Sequence, residues 1–288
     1  MANPDHRHGF TLVELLTVIA IVGLLVAILL PAVQASRESA RRLQCGNHLR
    51  QIGVALLNYH DTRGAFPSSV ADRNGGSSML HTWLVMILPY IEQTSLYDVY
   101  DFDAGYNSTV NRSVVERAIS TYVCPSADDS TIEGTGFGPC NYGGNSGTEP
   151  GENDGMMFPL SAVRIAEVRD GTSATLLVGE LYHHNLGWAR GSAAGVGGGG
   201  GGGADAGFAR AVSRWWRCAS PCAIPGINPP RTDCSNRCEQ RFQFSSAHAG
   251  GAYFAFCDGH VSFLLDTMDP VALKALFTRD GGDFARGE

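Results

Sequence analysis

Charge is scarce in this sequence, and one form of it is nearly missing. Charged residues make up 17% of the 288, and of the 21 basic ones only Lys274 is a lysine. Arginine therefore carries the positive charge, a compositional bias without functional content. The balance is acidic, with a net charge of −7 and a pI near 5.7, which argues against nonspecific wrapping of nucleic acid. No three-residue period runs through the 36 glycines, which excludes collagen. Seven of them are consecutive at 197–203, but no strand precedes them and no GK[ST] follows, so they are not a phosphate cradle. The surrounding stretch, 191–207, has too little apolar area to offset its ordering entropy and reads as a flexible loop. Dense runs of alternating acids are missing too, leaving only a weak case for calcium at Asp170 or Asp258. With 44% apolar residues the chain is nonetheless globular, and long enough for one large domain or two small ones.

The missing charge has a location. Residues 15–33, LLTVIAIVGLLVAILLPAV, contain none, and as a helix they reach about 30 Å, enough to cross a bilayer. A polar leader, MANPDHRHG, precedes this span, and Glu14 interrupts its start. A charge at membrane depth costs on the order of 2.5–3.5 kcal/mol on insertion scales, so Glu14 requires a partner or a shallow position. Counting arginines does not orient the span, since Arg7 lies before it while Arg37, Arg41, Arg42 and Arg50 follow. A secretory signal cleaved after Val33 and Ala35, before Ser36, is disfavoured by the length of the run and by its acid. A plain anchor makes no use of Gly9 or Glu14.

Gly9-Phe10-Thr11-Leu12-Val13-Glu14 resembles the G-F-T-L-x-E motif of type IV pilins and type II secretion pseudopilins. That resemblance implies a membrane peptidase that cuts after Gly9 and methylates the amine of Phe10, making Glu14 the fifth residue of the mature chain. Pro31 falls where such helices often carry a proline. A cut before Phe10 places a positive amine in the membrane layer of Glu14. Pairing that amine with a neighbouring subunit's Glu14 lowers both desolvation penalties and sets the register between subunits. Beyond the span, Cys45, Leu49, Ile52, Leu56 and Tyr59 share one helical face, and Gly64 and Pro67 supply a stop. The expectation is one helix from Thr11 to about Asp61, half span and half stalk. His48 and His60 lie on it without an acidic or cysteine cluster, and read as solvated or capping residues rather than ligands.

After residue 66 the pattern turns to short elements. TWLVMILPYIEQTSLYDVYDF suggests a short helix with connections, and TYVCPSADD a strand leading into a turn. Residues 141–145, NYGGN, read as a loop tolerant of positive φ. RIAEVRDGTSATLLVGE reads as strand, Asp170-Gly171 turn and a buried strand ending at Glu180. In FQFSSAHAGGAYFAFCDGHVSFLLD, apolar residues alternate at Tyr253, Ala255 and Cys257, then Val261 and Phe263, around Asp258-Gly259, a strong hairpin signal.

His248 with Asp258-Gly259 is similar to the H-X9-DG motif closing a large family of prepilin-like proteins whose head is of unknown function. The same family resembles this chain at QCGNHLRQIGVALLNYHDTRGAFP, YVCPS, NYGGNSGT and RDGTSATLLVGE. One departure is Tyr253, where the family usually has a short polar residue. The resemblance implies an α+β pilin-like fold: a long N-terminal transmembrane and stalk helix packed on an antiparallel β-sheet head. The expected organisation is leader 1–9, transmembrane part 10–34, stalk 35–65 and head 66–288. The head contains the glycine loop 191–207, a cysteine-rich insert 215–240 and the H-X9-DG hairpin 244–265. His248 and Asp258 admit a hydrolase-like role with Ser245 or Ser246. The structural alternative, which we favour, has His248 capping the hairpin entry and Asp258 shaping its turn.

Eight cysteines suggest disulfides in an exported chain and metal or redox work in a cytosolic one. Cys218, Cys222, Cys234 and Cys238 fit nested bridges, Cys218–Cys238 and Cys222–Cys234, and alternatively a zinc site whose x3 gaps are less typical than x2. The resemblance implies that Cys45 and Cys124 tie the stalk to the head. Cys140 and Cys257 remain as a fourth pair by elimination. The functional expectation is a structural pseudopilin-like subunit of a type II secretion or type IV pilus-related filament, without cofactor or catalysis. Its implied partners are prepilin peptidase, other pilin or pseudopilin subunits and the inner membrane, with no nucleic acid. Its implied place is a single pass in the inner membrane with the head extracytoplasmic. The alternatives are a membrane-displayed binding module (a minor pilin or adhesin) and, less favoured, a tethered hydrolase.

Overall fold

The computed structural model describes residues 12–72, 80–127, 136–148, 152–182, 187–189, 212–213, 226–228 and 244–282. One helix dominates it. α1 (Leu12–Arg63) runs unbroken for 52 residues, about 78 Å at 1.5 Å per residue, and contains Pro31. Glu14 in its first turn and His60 and Arg63 in its last complement the helix dipole. Gly64, at φ +81°, ends it in the left-handed conformation, and its N–H donates to the His60 carbonyl at 2.7 Å. The two halves of α1 have different surroundings. Its most apolar stretch, near the N-terminus, is wholly exposed, and it is long and apolar enough to cross a membrane. From Cys45 onward the helix buries Cys45, His48, Leu49, Ile52, Gly53, Ala55 and Leu56 against the head, with Tyr59 packed at the margin.

The head is a β-sheet with helices on both faces. A two-stranded ribbon, β1 (Val70–Asp72) and β2 (Leu80–Thr82), leads into α2 (Trp83–Met86), a 3-10 turn (Leu88–Ile91) and α3 (Thr94–Val99). α4 (Arg112–Val115) and a second 3-10 turn (Ser120–Tyr122) follow. The main sheet comprises β3 (Tyr142–Asn145), β4 (Leu176–Glu180), β5 (Val212–Ser213), β6 (Gly251–Phe256) and β7 (Val261–Leu265), in the order β5-β3-β4-β6-β7. Four of these strands are antiparallel, while the two-residue β5 joins β3 in parallel. The alternation of β6 sorts its side chains between two cores. Ala255 and Cys257 join the core shared with α1, with Tyr253 at its margin, whereas Ala252, Phe254 and Phe256 face Leu273, Leu276 and Phe277 at the chain's last helix. That helix, α5 (Pro270–Ala275), is capped by the Asp269 carboxylate, which accepts from the Val271 and Ala272 amides.

Three local expectations are corrected. Residues 142–145 form the buried strand β3, not a loop: Gly144 serves close packing, since a Cβ there would lie 2.3 Å from Met157 Cε. The expected strand at 164–168 is instead a 3-10 turn, Ile165–Glu167, whose Ile165 amide donates to His60 Nε2 at 3.2 Å. The expected strand before Cys124 is the 3-10 turn Ser120–Tyr122, anchored by the Tyr122 hydroxyl donating to the Leu84 carbonyl at 2.7 Å. The hairpin around Asp258-Gly259 forms as read, pairing Tyr253 with Phe263 and Ala255 with Val261.

Candidate functional site

Of the residues expected to govern processing and assembly, Gly9 and Phe10 lie outside the described residues. Glu14 occupies the exposed first turn of α1. Cys218, Cys222, Cys234 and Cys238 also lie outside the described residues, as does the whole of 191–207.

The described residues place a buried polar cluster where the stalk enters the head. Cys45 of α1 is disulfide-bonded to Cys124 across 79 residues of sequence. The backbone at both ends is held: the Tyr142 hydroxyl donates to the Cys45 carbonyl at 3.2 Å, and the Cys124 amide to Asn141 Oδ1 at 3.0 Å. In the chain-entropy view, closing a loop of this length contributes about 4.5 kcal/mol. Beside the sulfurs lies His248, only 3% exposed, with Nε2 at 3.7 Å from Cys124 Sγ. Its Nδ1 is 3.1 Å from Glu38 Oε1 on α1, and its Nε2 is 3.4 Å from Glu180 Oε1 at the end of β4. Glu180 is 2% exposed; its Oε2 accepts from the Tyr253 amide at 2.8 Å, while Oε1 takes no hydrogen bond.

Burial opposes a charge on His248, but the proximity and charge of Glu180, seconded by those of Glu38, outweigh it and raise the imidazole pKa above its ordinary value. Burial likewise works against the Glu38 carboxylate, yet hydrogen bonds from Arg41, His248 and Ser126 hold its pKa below the usual range. His248 thus links a carboxylate on the stalk with one on the sheet, and both favour its protonated form. This departs from the expected hairpin cap, because the side chain reaches into the stalk. Tyr253 completes the wall: its ring stands edge-on to His248 and Phe263, and a Cβ at Gly46 would meet it at 3.4 Å. Arg42 lies 3.6 Å over the Phe263 ring.

Asp258 and Gly259 occupy the opposite end of β6. Asp258 Oδ1 accepts from the His260 amide at 3.0 Å and contacts His260 Nδ1 at 2.6 Å. Gly259 adopts φ +88°, and a Cβ there would approach Leu57 Cδ1 to 2.9 Å. Asp258 therefore shapes the turn, as expected, and seats it on the stalk twelve residues beyond Cys45. His248 and Asp258 form no pair. Neither serine offers its hydroxyl to the imidazole among the described contacts: Ser245 Oγ accepts from the Tyr182 amide and Ser246 Oγ from the His248 amide. Asp170, weighed for calcium, instead accepts from the Thr278 hydroxyl and the amides of Gly281 and Gly282.

Two further expectations change. His48 is buried rather than solvated; its Nδ1 lies 3.0 Å from the Val123 carbonyl, and burial pushes its pKa down. Cys140 and Cys257 are buried thiols and do not bridge each other. Burial pushes the Cys140 thiol up to about 12 and Cys257 higher still. Missed in the sequence were Glu38, Glu180 and Asn145, whose Nδ2 donates to the Leu176 and Phe277 carbonyls at 2.8 and 2.9 Å. The available signals were Glu180 closing a buried apolar run and Asn145 within a glycine-rich strand.

Comparison with known proteins gives two matches. Residues 5–30 match the model of the prokaryotic N-terminal methylation motif, and residues 34–271 match the family described as "Protein of unknown function (DUF1559)". No curated protein and no solved structure matches. Together the two matches account for the methylation motif, the apolar helix and the head in one chain. This chain, with its prepilin-type N-terminus, belongs to the DUF1559 family of pseudopilin-like proteins.

Proposed function

We propose that the protein is a structural pseudopilin-like subunit of a type II secretion or type IV pilus-related filament, matured by prepilin peptidase after Gly9. The observation that carries this is the division of α1. Its C-terminal half is covered by the head, while its apolar N-terminal half is exposed along its whole length. Such a surface requires a bilayer before assembly and neighbouring helices after it. In this scheme Glu14 pairs with the methylated amine of Phe10 on an adjacent subunit. The head lies outside the inner membrane, which agrees with a disulfide at its junction with the stalk, since such bonds persist in oxidising compartments. The hydrolase alternative loses support from the orientation of His248 toward two carboxylates.

Mass spectrometry of the mature N-terminus tests processing, with an N-methylated Phe10 as the expected first residue. Gly9→Val blocks cleavage and keeps the leader. Glu14→Ala leaves membrane insertion intact or improved, because an intramembrane charge is removed, but diminishes pelletable filaments because the buried amine loses its counter-charge. A mature chain beginning at Ser36 sinks the proposal.

A further inference from the structure

Four side chains that the sequence holds far apart converge at the stalk junction. The ligand atoms of Cys45, Cys124, Glu180 and His248 all lie within 4.8 Å of one another, and all four residues are buried. In the oxidised protein the sulfurs are bonded to each other and hold no metal. We propose that the reduced protein binds one zinc ion here, through Cys45 Sγ, Cys124 Sγ, His248 Nε2 and Glu180 Oε1, so that disulfide and metal are interchangeable staples between stalk and head.

Geometry carries the inference first. A tetrahedral zinc with bonds of about 2.3 Å to sulfur and about 2.0–2.1 Å to nitrogen and oxygen has edges of about 3.6 Å for S···N and about 3.3 Å for N···O. Cys124 Sγ stands 3.7 Å from His248 Nε2, and that nitrogen 3.4 Å from Glu180 Oε1. Two edges are thus already in place, and on reduction the sulfurs need only move apart to about 3.8 Å. The second observation is Glu180 itself. Its Oε1 is buried among the other three ligand atoms and accepts no hydrogen bond, while Oε2 is engaged by the Tyr253 amide. In the oxidised protein that oxygen faces only the imidazole Nε2, at 3.4 Å and without a hydrogen bond, and a metal ion between the two would bind both. The surroundings complete the site. Glu38 Oε1 meets His248 Nδ1 at 3.1 Å, the carboxylate–histidine–metal arrangement that leaves Nε2 facing the ion. The four-ligand set, shut off from solvent, suits a structural site rather than a catalytic one.

The chemistry balances without hidden reagents. A dithiol reductant delivers two electrons and two protons to the disulfide, giving two thiols while itself becoming a disulfide. Zinc then displaces both thiol protons and, from the imidazolium, the proton on Nε2.

The test uses the full chain in detergent, with Cys218→Ser, Cys222→Ser, Cys234→Ser and Cys238→Ser removing the other cysteine cluster. After reduction by a phosphine, zinc per chain is measured by elemental analysis, and cobalt replaces zinc for spectroscopy. The expected result is one zinc per reduced chain and none per oxidised chain. Cobalt should give intense tetrahedral visible bands and a thiolate charge-transfer band. Cys45→Ser abolishes binding. Glu180→Gln, whose fold is verified in the oxidised form before reduction, loses affinity, and Glu38→Gln loses about 10–100-fold while keeping the stoichiometry. Circular dichroism with and without zinc covers a reduced chain that folds only with metal. A reduced chain that takes up no zinc, zinc retained in Cys45→Ser, or an octahedral cobalt spectrum overturns the proposal. None of these outcomes bears on cleavage after Gly9 or on filament assembly.

Discussion

Replacing His248 by alanine is the sharpest probe of the stalk junction. The imidazole stands between Glu180, 2% exposed, and Glu38, whose side chain is 42% exposed. Its two contacts therefore differ in weight. A partly solvated pair such as His248–Glu38 contributes about 0–1 kcal/mol. Removing the cation from Glu180 leaves a buried carboxylate without compensation, which costs about 3–5 kcal/mol. The whole effect should lie near that range, because truncation also loses contact with the Tyr253 ring. The assay is urea unfolding of the oxidised full chain in detergent, followed by fluorescence of the buried Trp83 and Trp188. The midpoint should fall at an unchanged m-value. Glu180→Gln combined with His248→Ala should recover about 1–3 kcal/mol, since a neutral amide does not require the cation. pH supplies an independent check. The folded pKa of His248 is raised, so its contribution is full below the ordinary value of 6.5 and is lost as pH rises through the folded value. The advantage of the wild type over His248→Ala should shrink accordingly on alkalinisation. A loss below about 1 kcal/mol, or a Glu180→Gln change that deepens it, refutes the assignment of a buried ion pair.

The remaining expectations concern covalent and steric features. Cys45→Ser with Cys124→Ser, kept free of zinc, should lower stability by about 4.5 kcal/mol, read from the same unfolding midpoint; a change within error would mean the unfolded chain gains little from losing the link. Denatured, unreduced protein should react with two equivalents of thiol reagent, from Cys140 and Cys257 of the eight cysteines, and six equivalents would exclude bridges at 218, 222, 234 and 238. Gly179→Ala should cost about 1–3 kcal/mol, because the new methyl would lie 2.6 Å from Phe254 and 2.8 Å from Phe244; a neutral result would show that both rings yield.

What the sequence disclosed, and what it hid, follows from the range of the interactions. The α1 stripe of Cys45, Leu49, Ile52 and Leu56 and the hairpin about Asp258-Gly259 were legible because helical period and turn chemistry are local. The β3 strand was misread because its glycines carry the same letters as a turn. The reason for Gly144 is Met157, a contact set by tertiary packing. The polar cluster was opaque for a stronger reason. Glu38 and Glu180 become chemically significant only when α1 crosses β4 beside the segment preceding β6, and nothing within either local window marks them. His48 was misjudged on the same ground, since the carbonyl it meets belongs to Val123.

The position of that cluster along α1 has a mechanical meaning. Cys45 is the first buried residue of the helix, so the disulfide and the Glu38–His248–Glu180 link sit where the stalk leaves the head. Detachment of a packed helix begins at such an exit, where the last contacts are half-solvated and open at the lowest free energy. Farther in, Leu49, Ile52 and Leu56 are held by non-directional apolar contact with the sheet, which resists loss of area but yields residue by residue once an edge has opened. A covalent bond and a buried ion pair at the edge change that sequence of events, because the apolar stripe cannot open progressively until both have failed. Any load reaching α1 through its exposed apolar half then arrives first at a cross-link between helix and head, and only afterwards at the hydrophobic core.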